Sequence, residues 1–317
     1  MRRLFWLVAA TFPVAVVSAL TWFGVFVFVN AYLIRGLGWT NAAYTVAILT
    51  MSVAMFFWYP FCTELSARLG RRWTVALTST ASGLAYAILP FSDRFWPIQT
   101  AMALLGAGTA GYLVGWTPFV AEAGGDRPGR AMVLATLVLN LVGMVSLIAG
   151  GLFMDTVNYR AAFLTLSAVC IACAVAFLAV SRRFEAVIQA ENAASGLPQT
   201  PLGAVSIRGL QRQDVAELVR GPFLLVVLLG ICAAPFAYQS SNALFPNLSR
   251  DVHGMDERTI AILVGMGRVP SGIALLLALQ FIDRIRAVRL YAVGLVLDGL
   301  AILCIAHAPS AGTAGAA

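Results

Sequence analysis

The apolar residues of this chain gather into nine runs, each long enough to cross a lipid bilayer. They lie at about 4–31, 42–62, 73–91, 97–120, 131–153, 161–180, 222–246, 259–281 and 288–306. A helix rises ~1.5 Å per residue, so about 20 residues cover the ~30 Å of hydrocarbon. There every backbone N–H and C=O needs a partner within the protein, which favours helices as the spanning form. Only 11% of the 317 residues are charged and 60% are hydrophobic, against about 25% charged in soluble domains. The expected fold is all-α, a polytopic transmembrane bundle of about nine helices. Pro13, Pro60, Gly106, Gly108, Pro235 and Pro270 fall inside the runs, where membrane helices tolerate them. The first run follows Arg2-Arg3 and reaches about Phe28. That exceeds the 7–15 residues of a signal-peptide core, so it is expected to stay as the first helix.

All 21 basic residues are arginines, and their distribution sets the expected orientation. With the N-terminus in the cytoplasm, alternation places fifteen inside: Arg2, Arg3, Arg68, Arg71, Arg72, Arg127, Arg130, Arg182, Arg183, Arg208, Arg212, Arg220, Arg284, Arg286 and Arg289. Five fall outside (Arg35, Arg94, Arg160, Arg250, Arg258), and Arg268 lies within a run. This is the positive-inside pattern, and a missed helix would scramble it. The net charge of +7 is therefore read as membrane orientation, with no nucleic-acid partner implied. The expected location is the plasma (inner) membrane.

One polar stretch separates the sixth and seventh runs. It spans residues 181–221, with Gly196, Pro198, Pro201 and Gly203 in a loop. Beyond them Ile207, Leu210, Val215 and Leu218 recur at helical spacing among Arg208, Arg212, Asp214 and Glu217, as in a helix lying on the interface. The chain thus divides into a six-helix half (1–180), a cytoplasmic linker (181–221) and three further helices (222–317). Cys62, Cys170, Cys173, Cys232 and Cys304 sit in or beside apolar runs and read as buried small hydrophobes; no metal or cofactor is expected.

The loop between the second and third runs reads Thr63-Glu64-Leu65-Ser66-Ala67-Arg68-Leu69-Gly70-Arg71-Arg72. It resembles the G-x-x-x-D-R-x-G-R-R loop of the major facilitator superfamily at Arg68, Gly70, Arg71 and Arg72. Thr63 replaces the leading glycine and Ala67 the acid, while Glu64 is placed to replace that acid in part. An echo follows the eighth run, where Asp283-Arg284 corresponds to Ala67-Arg68. Two similar halves joined by a central loop are how this family is built, and the resemblance covers the whole chain. It implies a transporter fold in which this loop governs conformational change. A charged turn there suits glycine, and arginines can pair with acids or helix C-termini nearby. The family has twelve helices, so nine runs lead to the expectation of a chain truncated after the ninth helix, or one that works as an oligomer. The fourth run, Thr100 to Gly111, lacks the arginine of many proton-coupled members, and Ser146-Leu147 stand where antiporters carry Gly-Pro. A coupled proton therefore stays an open option.

The candidate solute-binding residues are polar groups inside the runs. Arg268 sits near the middle of the eighth run, where a charge costs at least ~2.5–3.5 kcal/mol. It needs a partner or a cavity, and Asp298 in the ninth run is the expected partner. An anionic-solute contact, a proton relay and a structural ion pair all fit. Tyr238, Gln239, Ser240, Ser241 and Asn242 follow Pro235 and reach all faces of the seventh helix. Such neutral groups suit an uncharged or zwitterionic solute, or bonds between helices. Asn30, Tyr59, Tyr112, Trp116 and Asn140 are further candidates; Tyr112 and Trp116 share a helix face. Gly108, Gly111 and Gly115 are expected to let helices approach closely. An intramembrane enzyme is disfavoured, because His253 and His307 both lie outside the runs and no metal-binding motif is present. The leading function is secondary transport of a small solute by alternating access; the rival is a non-transporting membrane subunit or remnant.

Overall fold

A computed structural model describes residues 2–124, 128–194, 245–247, 249–281 and the helical positions 293, 296, 297, 300 and 303. No strand occurs among them. The chain divides into two compact units, one of residues 1–204 with 257–283, the other of 205–256 with 284–317. The runs at 222–246 and 288–306 lie almost wholly outside the described residues.

The first unit is a bundle of helices that run up and down between tight turns. They are α1 (Arg2–Ala19), α2 (Asn41–Leu69), α3 (Arg71–Ile88), α4 (Phe95–Gly111), α5 (Thr117–Ala123), α6 (Pro128–Thr156), α7 (Tyr159–Ala194), α8 (Glu257–Met266) and α9 (Arg268–Phe281). Six continuous spans among the described residues are long and apolar enough to cross a membrane: Phe5–Gly36, Asn41–Leu69, Arg71–Phe91, Pro128–Met154, Tyr159–Ile188 and Arg258–Leu277. The run expected at 97–120 is also helical, as α4, a π-helical turn Tyr112–Trp116 and α5. Polar caps start two of the helices. Thr40 Oγ1 accepts from the Ala43 N–H at 3.2 Å ahead of α2, and Asn158 Oδ1 from the Ala161 N–H at 2.8 Å ahead of α7.

Large apolar side chains cover the surface as well as filling the interior. Phe56, Phe57, Trp96 and Val175 are 62–77% exposed, a surface suited to lipid. The first helix is the axis, with 83% of its apolar window buried against 22% for α2. It continues from α1 through the π-helical segments Leu20–Val29 and Tyr32–Gly36. Widening to π geometry shifts carbonyls off the regular ladder, and two of them take side-chain donors. The Tyr86 hydroxyl donates to Leu20 O at 2.7 Å, and that of Tyr44 reaches Val25 O at 3.5 Å. Nothing in the sequence pattern announces these segments.

Glycines set the α3–α4 contact. A Cβ on Gly108, Gly111 or Gly115 would collide with Ser82, Thr78 and Val75 in turn, and one on Gly106 with the backbone of Met51 and Met55 in α2. The expected close approach is thus present, made by a stripe against α3 and one glycine against α2. The sixth run extends as helix to Ala194, past residue 180, because Phe184, Val187 and Ile188 prolong its buried face.

Gly70 joins α2 to α3 at φ +86°, ψ 157°, a region open in practice only to glycine. Its N–H bonds Ser66 O at 3.0 Å, and its carbonyl accepts from the Thr74 N–H at 3.2 Å. An added Cβ would meet nothing within 4 Å, so the position tests backbone strain alone. Gly70→Ala is expected to cost about 1–3 kcal/mol, read as a lowered thermal midpoint in detergent. An unchanged midpoint would show that the turn does not need glycine.

In the second unit, residues 245–247 and 249–251 are helical and are followed by Gly254 (φ +64°), where the Met255 N–H bonds Ser249 O at 3.1 Å.

Candidate functional site

Two of the polar residues singled out inside the apolar runs meet half-way along α6. The eighth run stays one helical span over Arg258–Leu277 and is irregular only at Gly267, whose N–H still bonds Leu263 O at 2.9 Å. Pro270 has no N–H to give to Met266 O, which loosens the helix there. The half-buried Arg268 side chain meets α6 and the first helix. Its Nη1 donates to Asn140 Oδ1 at 3.3 Å, and its Cζ lies 3.3 Å from the centre of the Phe23 ring.

Each partner is itself held in place. Asn140 is 6% exposed and donates from Nδ2 to Thr136 O at 2.9 Å, so its oxygen is turned to the guanidinium. Phe23, also 6% exposed, projects from the π-helical segment of the first helix. A desolvated cation over an aromatic face gains about 2 kcal/mol or more. The arrangement fixes one planar cation half-way along α6. A guanidinium attracts anions. The expected partner Asp298 lies outside the described residues, as do Tyr238, Gln239 and Asn242.

The remaining candidates do not join this cluster. Asn30 is fully buried between the two π-helical segments of the first helix. Tyr112 lines a cavity of about 10 Å³, room for one water, with Ser18, Thr21, Thr78 and Ser79. Trp116, one turn on and 2% exposed, packs against Phe119 and Phe177 with ring centres 5.5 and 5.9 Å away.

The basic loop carries three ion pairs of graded burial. Arg68 bonds Glu64 one turn earlier at 2.6 Å, both well exposed, so Glu64 does take up an arginine of the loop. Arg71, only 6% exposed, pairs with Glu122 in α5. Arg72 bonds Glu185 in α7 at 3.1 Å with both side chains a quarter exposed, and lies 5.9 Å from the centre of the Trp73 ring. The turn thus ties α3 to α5 on one side and to α7 on the other. Sequence reasoning missed Glu122 and Glu185, although a signal existed: each is an isolated acid at the basic end of an apolar helix. Asp283 and Arg284, the echo of this loop, lie outside the described residues. Cys62 and Cys170 are buried as expected, whereas Cys173 is only partly buried. Among the described residues no group of three or more His, Cys, Asp or Glu is placed to hold a metal ion.

A search of curated proteins finds no significant match. The family model of the Major Facilitator Superfamily matches residues 11–317. With the apolar spans, the glycine turn with its arginines and this match in hand, the chain is a multi-pass membrane transporter belonging to the major facilitator superfamily.

Proposed function

We propose that the chain is a secondary transporter that moves a small solute by alternating access, with Arg268 as the contact for an anionic group of that solute. The observation that carries this reading is the Arg268–Asn140–Phe23 cluster half-way along α6. A charge inside an apolar span is costly and marks a functional position by default. The neutral groups Tyr238, Gln239 and Asn242 would hold uncharged polar parts of the solute, which makes a zwitterion the favoured class. Asn30, Tyr112 and Trp116 line the first helical half as secondary candidates. In this reading the halves are residues 1–180 and 222–317, joined by the linker 181–221, and rock about the site. The loop Arg68–Gly70–Arg71–Arg72, with Asp283–Arg284 as its counterpart, biases the two states. Transporters of this family often couple the solute to an ion, and a proton is the coupling partner to test first. The test is counterflow in proteoliposomes over a panel of zwitterionic, anionic and neutral solutes. Exchange of neutral solutes alone would overturn the role of Arg268.

The same reading places the N-terminus in the cytoplasm of a cell whose inner membrane holds the protein. A cysteine at the exposed Asp93, between α3 and α4, should then react with a membrane-impermeant thiol reagent added to intact cells, and one at the exposed Glu64 should not. The opposite pattern would reverse the orientation.

A further inference from the structure

Gln99 is a buried amide with no hydrogen-bond partner among the described residues. Its side chain is in α4, 6% exposed, and neither Oε1 nor Nε2 is bonded. It lies one turn inside the start of the helix, after the exposed Phe95 and Trp96. Seven residues on, Gly106 faces Met51 and Met55 of α2. Positions seven apart share a helix face, so Gln99 belongs to the α2-facing side of α4, level with the buried Tyr44, Ala47 and Ile48 two turns earlier in α2.

An unpaired amide here is costly twice over. It forfeits hydrogen bonds to water, and it surrenders the packing that an apolar side chain would give in hydrocarbon. Other polar residues nearby avoid that cost. Thr100 and Thr109 on the same helix return their hydroxyls to Trp96 O and Leu105 O, a route through the helix's own backbone that is not taken by Gln99. Groups retained against stability gather at functional sites.

We infer that the Gln99 amide is a solute-path group covered by α2 in this state, and that where α2 and α4 part at this end in another state of the transport cycle it bonds water and the neutral polar groups of the passing solute. One acceptor and two donors fit hydroxyl, amide or carboxylate groups. The inference rests on the alternating-access reading and adds to it a residue at the rim of the bundle, away from the Arg268 cluster.

Two measurements test it without knowledge of the solute. In the full-length chain stripped of its native cysteines, Gln99→Cys is exposed to a charged methanethiosulfonate reagent in open membrane fragments, where the reagent reaches both faces. Met102→Cys, fully buried on the next turn, is the control. Position 99 should react about 10-fold faster or more. Equal and slow reaction at both sites would mean a permanently buried amide and overturns the inference. Separately, Gln99→Leu in the otherwise native chain should raise the thermal midpoint in detergent by about 2–4 °C. A fall in the midpoint would mark the amide as a structural bond and equally overturns it. Both measurements are independent of the Arg268 counterflow test, so a failure of solute exchange is distinguishable from a failure here.

Discussion

Glu122→Ala is expected to destabilise the protein by about 3–5 kcal/mol, the largest loss from any single change at the basic loop. The reason is the asymmetry of its pair. Arg71 is 6% exposed and Glu122 is 37% exposed. Without Glu122, a guanidinium stays buried with its charge uncompensated. Without Arg71, the carboxylate left behind turns to water, so Arg71→Leu should cost distinctly less. The double variant Arg71→Leu/Glu122→Leu should recover most of the Glu122→Ala loss, because a buried ion pair replaced by apolar groups is often neutral. The exposed Arg68–Glu64 pair is the internal comparison: Glu64→Ala should shift stability by no more than about 1 kcal/mol. Thermal midpoints of the four variants in one detergent decide the matter. If Glu122→Ala and Glu64→Ala proved equally mild, burial would not be what sets the strength of these pairs.

The features legible in the sequence are those that depend on neighbouring residues. Apolar runs of sufficient length dictate membrane helices, and each expected run within the described residues is helical. The turn at Gly70 was readable because one glycine between charged helix ends has few other uses, and its φ of +86° bears this out. Gly108, Gly111 and Gly115 announced a close helix contact by spacing alone, though not that α3 would meet it. Partners distant in sequence were harder to read. Arg72 finds Glu185 113 residues away and Arg268 finds Asn140 128 residues away; no local pattern encodes those pairings. Arg268 and Asn140 were each conspicuous as polar groups inside apolar runs, but their meeting depends on how α9 crosses α6. The π-helical segments were equally invisible. Two carbonyls of the first of them accept hydroxyls of Tyr86 and Tyr44 from other helices, contacts of packing that no local pattern encodes. Gln99 was passed over because a lone amide near the end of a run looks like an interfacial residue until its burial is known.

Arg268→Ala is expected to reduce solute exchange by about 10–100-fold, the effect of losing a charged hydrogen bond worth about 1.5–3 kcal/mol, while the protein still folds. Two features of the cluster give this change its particular signature. The first is the flat contact with Phe23, 3.3 Å from Cζ to the ring centre. A planar guanidinium stacks there flat, whereas an ammonium is compact and strongly hydrated. Arg268→Lys should therefore restore little of the exchange, although it restores the charge. The second is the bond to Asn140, whose amide is already oriented by Thr136 O. Asn140→Asp would place a carboxylate against the guanidinium and neutralise it. If the positive charge serves the solute, this variant should lose exchange of anionic and zwitterionic solutes nearly as fully as Arg268→Ala, even as its thermal midpoint rises. If Arg268 only braces α9 against α6 and the first helix, the stronger pair should leave exchange intact. Counterflow rates and thermal midpoints for these three variants separate the alternatives, since a bracing residue and a binding residue predict opposite outcomes for Asn140→Asp.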